Sequence, residues 1–333
     1  MAIFNSPINR SMMSSLRLSP AMFKSSSRSV RSSVRKNALR VGSGLMALTL
    51  SLGTALPTMA ADPFRPNSAY DIGEKTSEAF EAIFKDGDYD TALTVLEEAE
   101  EVEANEPLVH AMLASMAYLK GDEGLAEVKS RAELTTAAAE AMVASNPLRG
   151  HLYTAVGTFL EGAYVLKTEG VAKGTPTALS MLQQVFRSLD AAEAIDPNDP
   201  ELNLIKGYMD LMLAVNLPFS NPAEAIERMG AYGSPVYLAQ RGIAVGYRDL
   251  EQYDDALIAV DKALAAAPDN PEIKYLKAQI LNRLGNTAES VALYEEALTS
   301  ADQLPPTLAD RIEWEGCVAS GTESEVCSEQ VGY

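Results

Sequence analysis

Two histidines, His110 and His151, and two cysteines, Cys317 and Cys327, are all the imidazole and thiol ligands that 333 residues offer for zinc. The histidines stand apart with no cysteine beside either, and no histidine lies near the cysteines, so no metal set of ordinary spacing exists. HExxH, GxxxxGK, GxGxxG and GxSxG are missing too, so nothing points to zinc proteolysis, phosphate cradling, dinucleotide binding or a serine nucleophile. The chain reads as a non-enzyme with no metal and no cofactor. Aromatic residues are scarce, 7% beside an apolar fraction of 47%, and β-branched runs are few. Alanine and leucine carry the apolar content, which points to an ordered helical protein.

Acidic residues are absent from the first forty positions, where eight Lys and Arg stand: Arg10, Arg17, Lys24, Arg28, Arg31, Arg35, Lys36 and Arg40. Beyond them 19 basic residues face 46 acidic ones, a net of −27. Such a body repels phosphate backbones and anionic lipid surfaces, which argues against nucleic acid as a partner.

After the basic stretch comes an uncharged run, "VGSGLMALTLSLGTALPTMA", Val41 to Ala60, and then Asp62, the first acid. Basic, apolar, small-residue and acidic, in that order, is the grammar of a secretory signal, with Thr58 and Ala60 flanking the cleavage point. No Arg-Arg pair precedes the apolar run, which favours the general export route over the twin-arginine one. Two readings compete: an organelle transit peptide, and an uncleaved anchor, since the run is long enough to span a bilayer. Gly53, Pro57 and the Ser and Thr residues weigh against a stable span. Membrane contact is expected only if the segment stays uncleaved. No other segment is long and apolar enough to cross. The expected organisation is a targeting segment over 1–61, a repeat body over 62–316 and a short tail over 317–333.

Cys317 and Cys327 close a loop of small and polar residues, "GCVASGTESEVCSE". In an oxidising compartment the pair makes a disulfide that staples the tail, contributing up to ~3 kcal/mol. Two free tail thiols are the alternative.

The body repeats. "VYLAQRGIAVGYRDLEQYDDALIAVDKALAAAPDN" aligns with "EIKYLKAQILNRLGNTAESVALYEEALTSADQ", 34 residues on. Ala244 falls on Ala278, Tyr247 on Leu281, Ala256 on Ser290, Val260 on Tyr294 and Ala263 on Ala297. Small residues let two antiparallel helices approach, larger ones fill the space between pairs, and Pro268 ends a helix. The pattern resembles the tetratricopeptide repeat. Upstream, Gly87, Tyr89, Ala92, Leu96 and Ala99 stand at matching offsets, as do Ala114, Gly121 and Ala126, then Ala192, Pro197 and Gly207. About six pairs result, over 73–106, 107–147, 148–197, 200–236, 237–270 and 271–304, with a capping helix near 305–316. The resemblance implies an all-α, right-handed superhelix.

Two units depart from the pattern. The third is too long, with "VAKGTP" expected as a break between its helices, and the fourth carries "NLPFSNP", Asn216 to Pro222, as an extended turn. These are either binding loops on a rigid frame or drift in an old repeat. "NPLRGHLYTAVGTFLEGAYVLKTEGVAKGTP" and "LDAAEAIDPNDPELNLIKGYMDLMLAVNLPFSNP" also resemble an exported cyanobacterial family of tetratricopeptide proteins. That resemblance implies a periplasmic or thylakoid-lumenal location and no particular activity.

The repeat further implies a protein or peptide partner held on the concave face. The positions that line that face are His151, Thr154, Thr158 and Glu161 in the third unit, and Ile205 and Tyr208 in the fourth. The fifth contributes Leu238, Arg241, Val245, Arg248 and Asp249; the sixth Glu272, Tyr275, Gln279, Asn282 and Arg283. Arg241, Arg248 and Arg283 converging there, with Tyr275 and Asn282, would resemble the carboxylate clamp of some tetratricopeptide domains. The match is partial, because Val245 stands where that clamp wants Asn. The competing reading is that these arginines pair with Asp249 and Glu272. A small-ligand protein, using Tyr153, Tyr208 and Phe219 of the enlarged third and fourth units, is the alternative to a scaffold or assembly factor. Asp86, Asp88, Asp90 and Glu97 have EF-hand spacing, but Thr91 stands at the glycine position and a helix start explains the stretch better. The six glutamates within Glu97–Glu106 read as a solvated helix end.

Overall fold

Proline opens helices throughout this chain. In the computed structural model, which describes residues 62–65, 70–216 and 221–332, Pro107, Pro147, Pro200, Pro222, Pro271 and Pro306 each occupy the first helical position. The N–H that proline lacks has no helical partner there, and its fixed φ suits the helix. Asn146, Asn221 and Asn270 stand just before three of these prolines. Each accepts, on its side-chain oxygen, the backbone N–H three residues on, at 3.2, 3.4 and 3.0 Å. Asp88 does the same for Thr91 at 2.9 Å, which makes the carboxylate of the EF-hand-like stretch a helix cap.

The described residues form fourteen α-helices, arranged in antiparallel pairs. The first pair is α1 (Glu74–Glu81), which runs on into a π-helical turn Ala82–Asp86, and α2 (Tyr89–Val102). Then come α3 (Pro107–Leu119) with α4 (Leu125–Met142), and α5 (Pro147–Glu169) with α6 (Val171–Glu193). The fourth pair is α7 (Pro200–Asn216) and α8 (Pro222–Tyr232), and the fifth α9 (Val236–Asp249) and α10 (Tyr253–Ala266). The sixth is α11 (Pro271–Arg283) and α12 (Thr287–Leu298), followed by α13 (Pro306–Ala319) and α14 (Ser324–Val331). No helix among the described residues is long and apolar enough to cross a membrane. The leader with its cleavage point, and residues 217–220 of the long fourth-unit turn, Phe219 included, lie outside the described residues.

The aligned small positions are the closest contacts. Ala244, Ala256, Ala263, Ala278 and Ala297 are wholly buried, and so is Ser290. Serine in an alanine position costs little here, because its hydroxyl donates to the Ala278 carbonyl at 2.7 Å and leaves no orphaned polar group. Val260 and Tyr294 fill the space between pairs, as their size requires.

Two features differ from expectation. "VAKGTP" is not a break: α6 starts at Val171, directly after Gly170, and Pro176 lies within it. Gly170 at φ +77° turns the chain in a single residue, so no longer linker is needed. The third pair is therefore two helices of 23 residues each. At the other end, α13 runs on to include Cys317, and the tail forms α14, tied back by the Cys317–Cys327 disulfide.

The stack closes on itself. The first pair packs against α3, as a neighbour must, and also against α9, the start of α11 and the turn at 301–303. Asn270 Nδ2 donates to the carbonyls of Phe84 and Lys85 at 3.3 and 3.1 Å. This residue thus caps the start of α11 and the end of the π turn at once. Gly87, at φ +75°, sits against Pro271 so closely that a Cβ would lie 2.7 Å from its Cδ.

Candidate functional site

The closure decides what the concave face of the last units offers. Glu272, at the second position of α11, is buried. It accepts from Tyr89 Oη at 2.7 Å and from Arg241 Nη2 at 2.5 Å. Arg241 is only 5% exposed. Burial alone would lower its pKa, but Glu272, with Tyr208 and Tyr89, outweighs that and raises it. Burial, then the neighbouring Glu272 charge, pushes the Tyr89 hydroxyl well up. Tyr208 is buried as well, donating to the Leu238 carbonyl at 2.7 Å.

The three arginines therefore do not meet in an open clamp. Arg241 is enclosed by the first helix pair. Arg248 pairs with Asp249 at 2.9 Å and donates to Gln279 at 2.7 Å. Tyr275 is buried and donates to Glu315 of α13 at 2.8 Å, with Gln279 and Arg311 on the same carboxylate. The competing reading of ion pairs to Glu272 and Asp249 describes what the geometry shows. Asn282 and Arg283 are exposed at the end of α11, and His151 is half-buried on α5.

A second buried network lies at the start of α7. Glu201, wholly buried, accepts Arg149 Nε at 3.1 Å, Arg65 Nη2 at 2.9 Å and Tyr153 Oη at 2.6 Å. Arg149 also grips Glu106 with two nitrogens, at 2.9 and 2.8 Å. Arg65 binds Asp199 through two nitrogens, at 2.8 and 2.7 Å, and Asp62 at 3.0 Å. Burial would raise the Glu201 pKa, but Arg149 and Arg65 more than offset it and hold it below the usual carboxylate range. At Asp199 burial wins over Arg65, and the pKa goes up.

This network fixes the walls of an apolar hollow of about 80 Å³ on the inner side of the first four units. Phe64, Phe80 and Phe84 form one wall, their rings 4.8 and 4.7 Å apart in sequence. Met112, Phe159 and Met209, from α3, α5 and α7, form the others. Tyr153 contributes its ring, its hydroxyl being taken by Glu201.

Arg65, Tyr89, Glu106, Arg149, Asp199 and Glu201 escaped the sequence reading as a set. One signal was available: Asp-Pro-Glu at 199–201 and Asn-Pro-Glu at 270–272 place both buried glutamates identically.

Among known families, residues 242–305 match the tetratricopeptide repeat, the stretch that spans α9 to the turn after α12. No curated protein matches the chain. The described helices, packed in the same antiparallel pairs, fit a tetratricopeptide repeat protein.

Proposed function

We propose that this protein is an exported scaffold or assembly factor, acting in the periplasm or a thylakoid lumen, that holds a protein or peptide on its inner face. The repeat at 242–305 carries the reading, because it is a protein-contact module whose rigid preformed surface needs no covalent chemistry. Export is supported by the order of basic, apolar and small residues before Asp62, and by a disulfide, which persists in oxidising compartments. Arg283 and Asn282 are the concave-face groups of the sixth unit that remain exposed to a partner. Arg241 is set aside for the closure.

The test is affinity capture from envelope extract with the purified protein and its Arg283→Glu variant side by side. A partner held by the wild type and lost by the variant supports the reading and its site. A partner held equally by both moves the site away from α11, and capture of none removes the scaffold role. A second reading, binding of a small ligand, is favoured by Tyr153 of the enlarged third unit lining the hollow.

A further inference from the structure

We infer that the open hollow lined by Phe64, α1, α3, α5 and α7 is a binding site for an uncharged, hydrocarbon-like molecule. This rests on the small-ligand reading and is independent of the protein partner. The hollow has room for roughly five to eight waters, at ~10–15 Å³ each. Water is a poor occupant, since it needs two to four polar partners. Ser115 is the one side chain in the lining with an aliphatic hydroxyl, and it already donates to the Ala111 carbonyl at 2.9 Å. Tyr153, the other hydroxyl, is committed to Glu201. None of the lining side chains carries a charge. An apolar molecule would lose nothing on entering and would bring its own surface out of water.

The charge balance behind the wall selects against anions. The network around Arg65 and Arg149 sets four carboxylates (Asp62, Glu106, Asp199 and Glu201) against two guanidiniums, and both guanidiniums are fully engaged. Among the described residues, no free cation there would receive an acidic head group. The mouth is formed by Ser115, Val156, Phe159 and Ile205, all half-buried, so a ligand can enter from the inner face of the stack. Phe64 is held in the wall because its neighbour Arg65 is locked to Asp199 and Glu201, and its own N–H donates to Asp62 at 2.8 Å.

Isothermal titration of the purified protein with 1-octanol, and separately with octanoate, tests this. Octanol should bind at a single site, and octanoate at least tenfold more weakly. Ser115→Phe and Val156→Phe, both at the half-buried mouth, should each weaken octanol at least tenfold while the melting temperature holds or rises. No octanol binding by the wild type overturns the inference. So does equal binding of octanoate, a result that needs no variant, or undiminished binding by the filled variants. Loss of protein capture in the Arg283→Glu variant, with octanol binding intact, would leave the two roles separate.

Discussion

Glu201 and Glu272 occupy the same place in two units. Each stands second in its helix, behind a proline, and each accepts an arginine and a tyrosine hydroxyl. Their surroundings differ. Tyr153 lies one turn along the same helix as Arg149, so the Glu201 triad assembles between adjoining units. Tyr89 reaches Glu272 from 183 residues away, so the Glu272 triad exists only when the two ends of the stack meet. The same local instruction builds a unit boundary in one case and a ring closure in the other. What separates them is the supply of partners: among the described residues, Glu201 holds two arginines and Glu272 one.

The largest predicted effect exploits that asymmetry. Glu272→Ala takes away the carboxylate that Arg241 holds among the described residues, and breaking a buried pair costs about 3–5 kcal/mol. Glu201→Ala leaves Arg65 on Asp199 and Asp62 and Arg149 on Glu106, so it should cost less than that. Urea midpoints of the two variants measure the difference, and equal midpoints would break the comparison. Acid acts in the same direction at Glu201. Its folded pKa is lowered, so its stabilising contribution is present above the unfolded carboxylate value and is lost as pH falls through the folded one.

Next in size, Tyr89→Phe removes a buried hydrogen bond to a charged acceptor, at about 1.5–3 kcal/mol. Hydrogen exchange should then quicken in α1 and α2 before the other helices. Tyr153→Phe, its counterpart, should show no such local preference. An effect of similar order but opposite sign belongs to Asp210 on α7. Burial pushes its pKa up to about 6, against the pull of Lys206 and Arg228, with Glu224 and Glu193 pushing the same way as burial. A carboxyl raised in the fold stabilises while protonated, and that stability is lost as pH rises from the unfolded value through about 6. Asp210→Asn should therefore stabilise at pH 7 by on the order of 1–3 kcal/mol and do little at pH 4, read from melting curves at both. Smallest of all, Arg283→Glu touches an exposed position and should shift stability by no more than about 0.5 kcal/mol.

The helix pairs could be read from the sequence because their signals are local. Proline at first positions, asparagine before them, and small residues such as Ala244 and Ala256 at fixed spacing all act within a few residues. The fate of Arg241 could not be read that way. Its position marks it as facing inward, but whether that interior is open depends on the curvature summed over every unit between Tyr89 and Glu272. The hollow escaped for the same reason: Phe64, Phe80 and Phe84 precede or open the array, and only its bend sets them opposite Phe159 and Met209. The break expected at "VAKGTP" misjudged Pro176, which α6 accommodates near its start.

Asn270 serves two helix ends at once, and this gives the molecule a fixed circumference. An open array of repeats tolerates the gain or loss of a unit, because each touches only its neighbours. Here a duplicated or deleted pair would carry Asn270 away from Phe84 and Lys85, and Glu272 away from Tyr89. The number of units is thus a structural constant of this chain, as binding as any residue in its core.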